Sequence, residues 1–177
     1  MLVYARALFG IATRRLGPED LPDSGFLLGL TLIAYVVLQL PLALAAYGPS
    51  SAIVTSLGAT VLLLMAFLWV LLALNGYRSR YRQTLTALFG TSALLSLFSI
   101  PFSVWRQATH DMQAASALPS AAIFAIMLWS LAIDGHILSR AMSRPFVIGL
   151  LVSIAYFLLH TTVLFELMPD NMPVAEN

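Results

Sequence analysis

Residues Phe146–Met168, FVIGLLVSIAYFLLHTTVLFELM, hold fourteen Leu, Ile, Val or Phe side chains. At helix-centre insertion values that is worth about −4 to −8 kcal/mol in a bilayer, and Ser153, His160 and Thr161 do not cancel it. Glu166 stands at the end of the run, where charge costs little. Four other stretches have the same character: Gly25–Tyr47, Ile53–Leu74, Thr84–Trp105 and Ala117–Leu138. Each reaches the roughly 20 residues that a helix needs to cross a hydrocarbon core of about 30 Å. The chain as a whole is 60% hydrophobic and 10% charged, against about 25% charged in a soluble domain. Too few polar groups remain to cover a water-facing surface, so the solvent for most of the chain is lipid. The expected fold is all-α: a polytopic bundle of five transmembrane helices over residues 25–168. A cytoplasmic segment of residues 1–24 precedes it and a short acidic tail, 169–177, follows. Neither that segment nor the loop near Arg106–Ser116 is long enough to build a core of its own.

Arginine placement orients the spans. Arg6, Arg14 and Arg15 precede the first span, Arg78, Arg80 and Arg82 join the second to the third, and Arg140 and Arg144 join the fourth to the fifth. These segments share one side and carry eight of the nine basic residues; only Arg106 lies on the other. The positive-inside rule then puts the N-terminus in the cytoplasm and the C-terminus outside.

The opening residues MLVYARALFGIATRRL do not read as a secretory signal. Arg6 interrupts the apolar run, Arg14 and Arg15 end it, and GPEDLPDS follows with no small-residue cleavage pattern. Leu2, Leu8, Phe9, Ala12 and Leu16 share one side of a helical wheel. The expectation is a short helix lying on the cytoplasmic membrane face, with Arg14 and Arg15 toward anionic headgroups; a plain cytoplasmic stub is the alternative. Asp23 or Ser24 is placed to cap the first span.

Ionisable groups within spans are the functional candidates. In LAIDGHILSR (131–140), Asp134 lies about 9 Å and His136 about 6 Å from the boundary marked by Arg140. Both can reach the interface. The reading adopted is a polar helix end, with Asp134 paired to Arg78, Arg80 or Arg82; the alternative is a functional carboxylate. His160 sits about 22 Å from that boundary, too far along the axis to share a metal ion with Asp134. It is expected to hydrogen-bond a Ser or Gln of a neighbouring helix, Gln39 among them. Ser92, Ser96, Ser99 and Ser103 fall on one face of the third span. A packing seam of small residues is the adopted reading of that face, and a polar lining for a small solute is the alternative. Pro41 and Pro101 free the carbonyls of Val37 and Leu97.

Catalytic, cofactor and metal sites are not expected. There is no Cys, which excludes disulfides and thiolate ligands. The Asp134-Gly135 pair is a faint echo of the CDP-alcohol phosphatidyltransferase motif, but the further aspartates that would hold metal and pyrophosphate are missing. A serine hydrolase of the rhomboid kind lacks its nucleophile turn.

Two stretches carry a family likeness. GYRSRYRQTLTALFGTSALLSLFSIPF (76–102) is a basic turn leading into a small-residue span with proline near its end. LWSLAIDGHILSRAMSRPFVIGLLVSIAYFLL (128–159) is a Trp-bearing span, a basic turn and a final apolar span. With five spans over about residues 26–168, the chain resembles the Yip1 superfamily, including its small bacterial inner-membrane members. The family's D-L-Y-G-P type motif is absent, and LGPEDLP is not a version of it. The resemblance implies a non-enzymatic protein that organises membranes or binds a partner, and it assigns no site residues. The expected contacts are membrane lipids and a membrane-protein partner or second copy, with no nucleic acid. The rival expectation is a small transporter or permease subunit using the serine face, His160 and Gln39.

Overall fold

The computed structural model describes residues 2–47, 52–109 and 113–167, and over these it is all-helical. The helices are α1 (Leu2–Ala12), α2 (Gly25–Tyr47), α3 (Ala52–Leu74), α4 (Tyr81–Ala108), α5 (Gln113–Ala141) and α6 (Phe146–Leu167). Helices α2 to α6 are each long and apolar enough to cross a bilayer. The acidic tail lies outside the described residues. Helices α4 and α5 run three or four residues past their apolar windows at either end. A hydropathy window closes where polarity begins, whereas the backbone ladder continues until something caps it.

Helix α4 is the centre of the bundle, and half of its membrane window is buried. It packs between α2 and α5, α6 lies along α5, and α3 touches α2, α4 and α6 only lightly. Large apolar side chains such as Phe26, Val54, Leu62, Leu74 and Val147 face outward, as lipid requires.

Two glycines make the α5–α6 seam. A Cβ at Gly149 would overlap the Gly135 carbonyl oxygen and lie 2.6 Å from the Cβ of Ser139. One at Gly135 would stand 2.8 Å from the Cα of Leu150. The two backbones are therefore in direct contact, and Ser153 Oγ donates across the seam to the Leu131 carbonyl at 3.0 Å.

At the arginine-bearing end the N-terminal segment is stitched to the bundle. Ser24 caps α2, its Oγ accepting from the Leu27 N–H at 3.4 Å, while Asp23 pairs with Arg82 at 3.1 Å. Glu19 pairs with Arg140, and Gln83 Nε2 donates to the Leu21 carbonyl at 2.9 Å. Helix α1 forms where expected but does not lie free on the membrane surface. Ile11 and Ala12 are buried, and Leu8 fills the space that a Cβ at Gly90 of α4 would need. Gly90 is nine residues into α4, about 14 Å from its start, so α1 rests on the flank of the bundle. The apolar stripe Leu8, Ile11 and Ala12 found protein to bury against, while Arg6 and Phe9, further round the helix, stay exposed.

Arg80 closes the C-terminus of α5. Its Nη1 donates to the carbonyls of Arg140 (3.1 Å) and Ala141 (3.0 Å) and to Ser143 Oγ (2.8 Å). These carbonyls have no partner within the helix, and Ser143 at φ 52° ends it in the left-handed region. Arg80→Ala is expected to cost about 1–2 kcal/mol, because three charge-assisted bonds in partial solvent are lost. Thermal unfolding in micelles measures it, and Arg80→Lys should recover only part, lacking the planar fork.

Candidate functional site: a polar chamber inside the bundle

The five spans enclose a cavity of about 300 Å³. Helix α2 contributes Tyr35 and Gln39, α3 Thr60, α4 Ser92, α5 Ser130 and Asp134, and α6 Ser153, Tyr156 and His160. Apolar wall is supplied by Leu64, Phe67, Leu68, Leu88 and Phe157. Counted from the arginine-side helix ends, Asp134 is about 10 Å deep, Tyr35 and Tyr156 about 15 Å, and Gln39, Thr60 and His160 about 21 Å. The chamber thus occupies the middle of the bundle.

Most of its polar atoms are satisfied locally. Thr60 Oγ1 and His160 Nε2 share a hydrogen bond of 2.9 Å. Gln39 Nε2 donates to the Tyr35 hydroxyl at 3.2 Å, and Ser96 Oγ donates to the Ser92 carbonyl at 2.8 Å while reaching Gln39 Oε1 at 3.4 Å. Ser130 and Ser153 donate to carbonyls of their own helices. The rings of Tyr35 and Phe89 stand 5.3 Å apart, and those of Tyr156 and Phe67 4.9 Å, fixing both tyrosines against the wall.

Asp134 is the exception. Its carboxylate makes no hydrogen bond or ion pair among the described residues. It is partly exposed, and what it is exposed to is the chamber. The expected pairing with a loop arginine does not occur. Arg82 and Arg140 are taken by Asp23 and Glu19, Arg80 by carbonyls, and Arg78 lies over the Trp69 ring at 5.1 Å. The physical reason is azimuth. Gly135 turns its bare backbone to α6, which leaves the preceding residue pointing into the bundle, and a helix side chain cannot reverse that. His136, two residues on and so about 200° round the helix, points away. Its Nε2 is 2.9 Å from the Leu16 carbonyl oxygen, helping to hold the N-terminal segment.

His160 does make a helix-to-helix hydrogen bond, but to Thr60 of α3; Gln39 lines the same chamber and bonds to Tyr35. On the serine face of α4, Ser96 and Ser103 are buried and Ser92 and Ser99 half-buried. Ser92, Ser96, Ser99 and Ser103 line an adjoining groove of about 360 Å³ between α2, α4 and α5, which begins at Asp134 and Gln39. A third space, about 210 Å³, leads from Tyr35 and His160 toward Ser56 and Leu164. Both run toward the helix ends away from the arginines. In the other direction the chamber ends on Leu138, and toward the arginine-side helix ends Leu72, Leu85, Ile137, Leu138 and Ala141 are at most 3% exposed. That is an apolar plug. Among the described residues no three His, Asp or Glu side chains are close enough together to hold a metal ion.

Of the remaining arginines, Arg14 lies over the Phe146 ring at 5.6 Å. Arg15 and Arg144 are exposed at the same end of the molecule.

Tyr35, Thr60, Ser130, Ser153 and Tyr156 were not singled out from sequence. A signal existed: each span carries a polar pair at i, i+4, namely Tyr35/Gln39, Ser56/Thr60, Ser92/Ser96, Ser130/Asp134 and Tyr156/His160. Residues so spaced share a face, and all ten line one of the three spaces. The chain matches no protein-family model, no curated protein and no solved structure.

Proposed function

We propose that the protein is a small solute carrier of a bacterial-type inner membrane, with its N-terminus in the cytoplasm and the chamber around Asp134 as its binding site. The observation that carries this reading is a carboxylate without a partner, facing a cavity to which all five spans contribute. An intramembrane ionisable group of this kind marks a substrate or ion pathway by default. The grooves toward the far side and the apolar plug toward the arginines support a one-sided, alternating arrangement. The arginine asymmetry supports the orientation, which makes the open side the outer one.

Cysteine scanning tests the reading without background, since the chain has no native thiol. A membrane-impermeant methanethiosulfonate is expected to label Ser99→Cys and Ser130→Cys from the side away from the arginines. Ile137→Cys, in the plug, should react from the arginine side, roughly a hundredfold more slowly, through a minor open state. If Ser130→Cys is labelled equally from both sides, or from neither, there is no one-sided chamber. A wholly inert Ile137→Cys would reduce the carrier to a binding site.

A second reading, the partner-binding role implied by the Yip1 likeness, is favoured by one feature. Helix α3 is lightly held, and an apolar groove lined by Leu32, Val36, Ile53, Leu57 and Val61 runs between it and α2. Another transmembrane helix would fit there by packing alone.

A further inference from the structure

We infer that the chamber takes a small organic monocation, an ammonium group on an apolar body, with Asp134 as its counter-ion; this rests on the carrier reading above. The argument is one of charge and shape. A carboxylate held in a low-dielectric interior without a partner is costly, and the protein supplies no cation to meet it. The chain has no Lys, and the arginines nearest in sequence are engaged at the rim. His160 points its Nε2 at Thr60. Compensation comes either from a proton on the carboxyl itself or from a cationic occupant, and an ammonium group is the occupant that supplies it.

Other occupants fit worse. An anion meets Asp134 directly, and a neutral molecule leaves it uncompensated. A bare metal cation needs about six oxygen ligands at close range, whereas Asp134 is the only carboxylate lining the chamber. The space is also too large for such an ion and is walled by Leu64, Phe67, Leu88 and Phe157. At about 300 Å³ it lies at the lower end of small-molecule pockets. The faces of Tyr35, Tyr156 and Phe67 add sites for an ammonium group or its substituents.

The test is equilibrium binding to the full chain in nanodiscs, by calorimetry, with tetramethylammonium, tetraethylammonium and phenethylammonium as probes. The neutral isostere 2-phenylethanol, the anion phenylacetate and sodium chloride complete the panel. At least one monocation should saturate, and phenethylammonium should bind at least roughly tenfold more tightly than 2-phenylethanol. Asp134→Asn should abolish that preference, while Asp134→Glu keeps part of it. If no monocation saturates, the neutral isostere binds equally, sodium displaces the probe at equal concentration, or Asp134→Asn keeps the preference, the assignment is wrong. Gel filtration and circular dichroism of both variants separate lost binding from lost fold. Failed binding with the sided thiol labelling intact removes the cation alone; failed labelling removes the carrier.

Discussion

Gly149→Leu is expected to prevent α5 and α6 from closing, with little or no monodisperse protein recovered after extraction in mild detergent. No rotamer escapes the clash, because the Cβ itself would overlap the Gly135 carbonyl and press on Ser139. Separating the helices to make room would forfeit the Ser153–Leu131 hydrogen bond and the packing on which transmembrane association depends. Even Gly149→Ala should lower stability by about 2–4 kcal/mol, in the range of severe overpacking. Gly58→Leu is the control. Nothing lies within 4 Å of a Cβ there and the residue is exposed, so yield and unfolding temperature should match the parent. A well-behaved Gly149→Leu protein would mean that the seam does not exist as described.

Asp134→Asn is expected to act in the opposite direction, raising the stability of the ligand-free protein. The carboxylate bears the cost of burial with no partner to offset it, and an amide of the same shape carries no charge to desolvate. The gain should be about 1–3 kcal/mol, or about 2–4 °C of unfolding temperature for each kcal/mol in a chain of this size. Differential scanning fluorimetry without added ligand would measure it. A fall in unfolding temperature would show that Asp134 is structurally paired. Removing Asp23 from its pair with Arg82 provides the contrast: that pair is exposed on both sides and should be worth well under ~1 kcal/mol.

The spans were legible because insertion depends on summed hydrophobicity, which a linear reading measures directly. So was the capping serine of α2, since capping is local. Asp134 was misread for a specific reason. Its distance along the helix from Arg140 is right, but depth says nothing about direction, and direction is set by Gly135 beside it and Gly149 fifteen positions on. The acids that occupy Arg82 and Arg140 sit in the short PEDLPD segment, on the same side as the arginines, and were available as a warning. His160 shows the same limit in milder form. A polar residue in lipid needs a partner, so a cross-helix bond was expected, but which helix supplies it depends on packing. The five i, i+4 polar pairs would have revealed the chamber, because chance seldom puts one on every span. They were visible singly and uninformative until compared. The apolar face of helix α1 fits lipid and protein equally well, so its contact with the bundle through Ile11 and Ala12 is not legible in the sequence.

The helices also differ in length. Helices α2, α3 and α6 have 22 or 23 residues, whereas α4 and α5 have 28 and 29. On the arginine side α3 joins α4 and α5 joins α6 through short turns, so the surplus of about 8–10 Å in α4 and α5 stands toward the opposite end. A bilayer that matches the three shorter helices leaves the tips of the longer pair in the headgroup layer, and with them Ser103 at the mouth of the serine groove. In a thicker or longer-chain membrane those tips sink into hydrocarbon, so the mouth would then face lipid tails instead of headgroups.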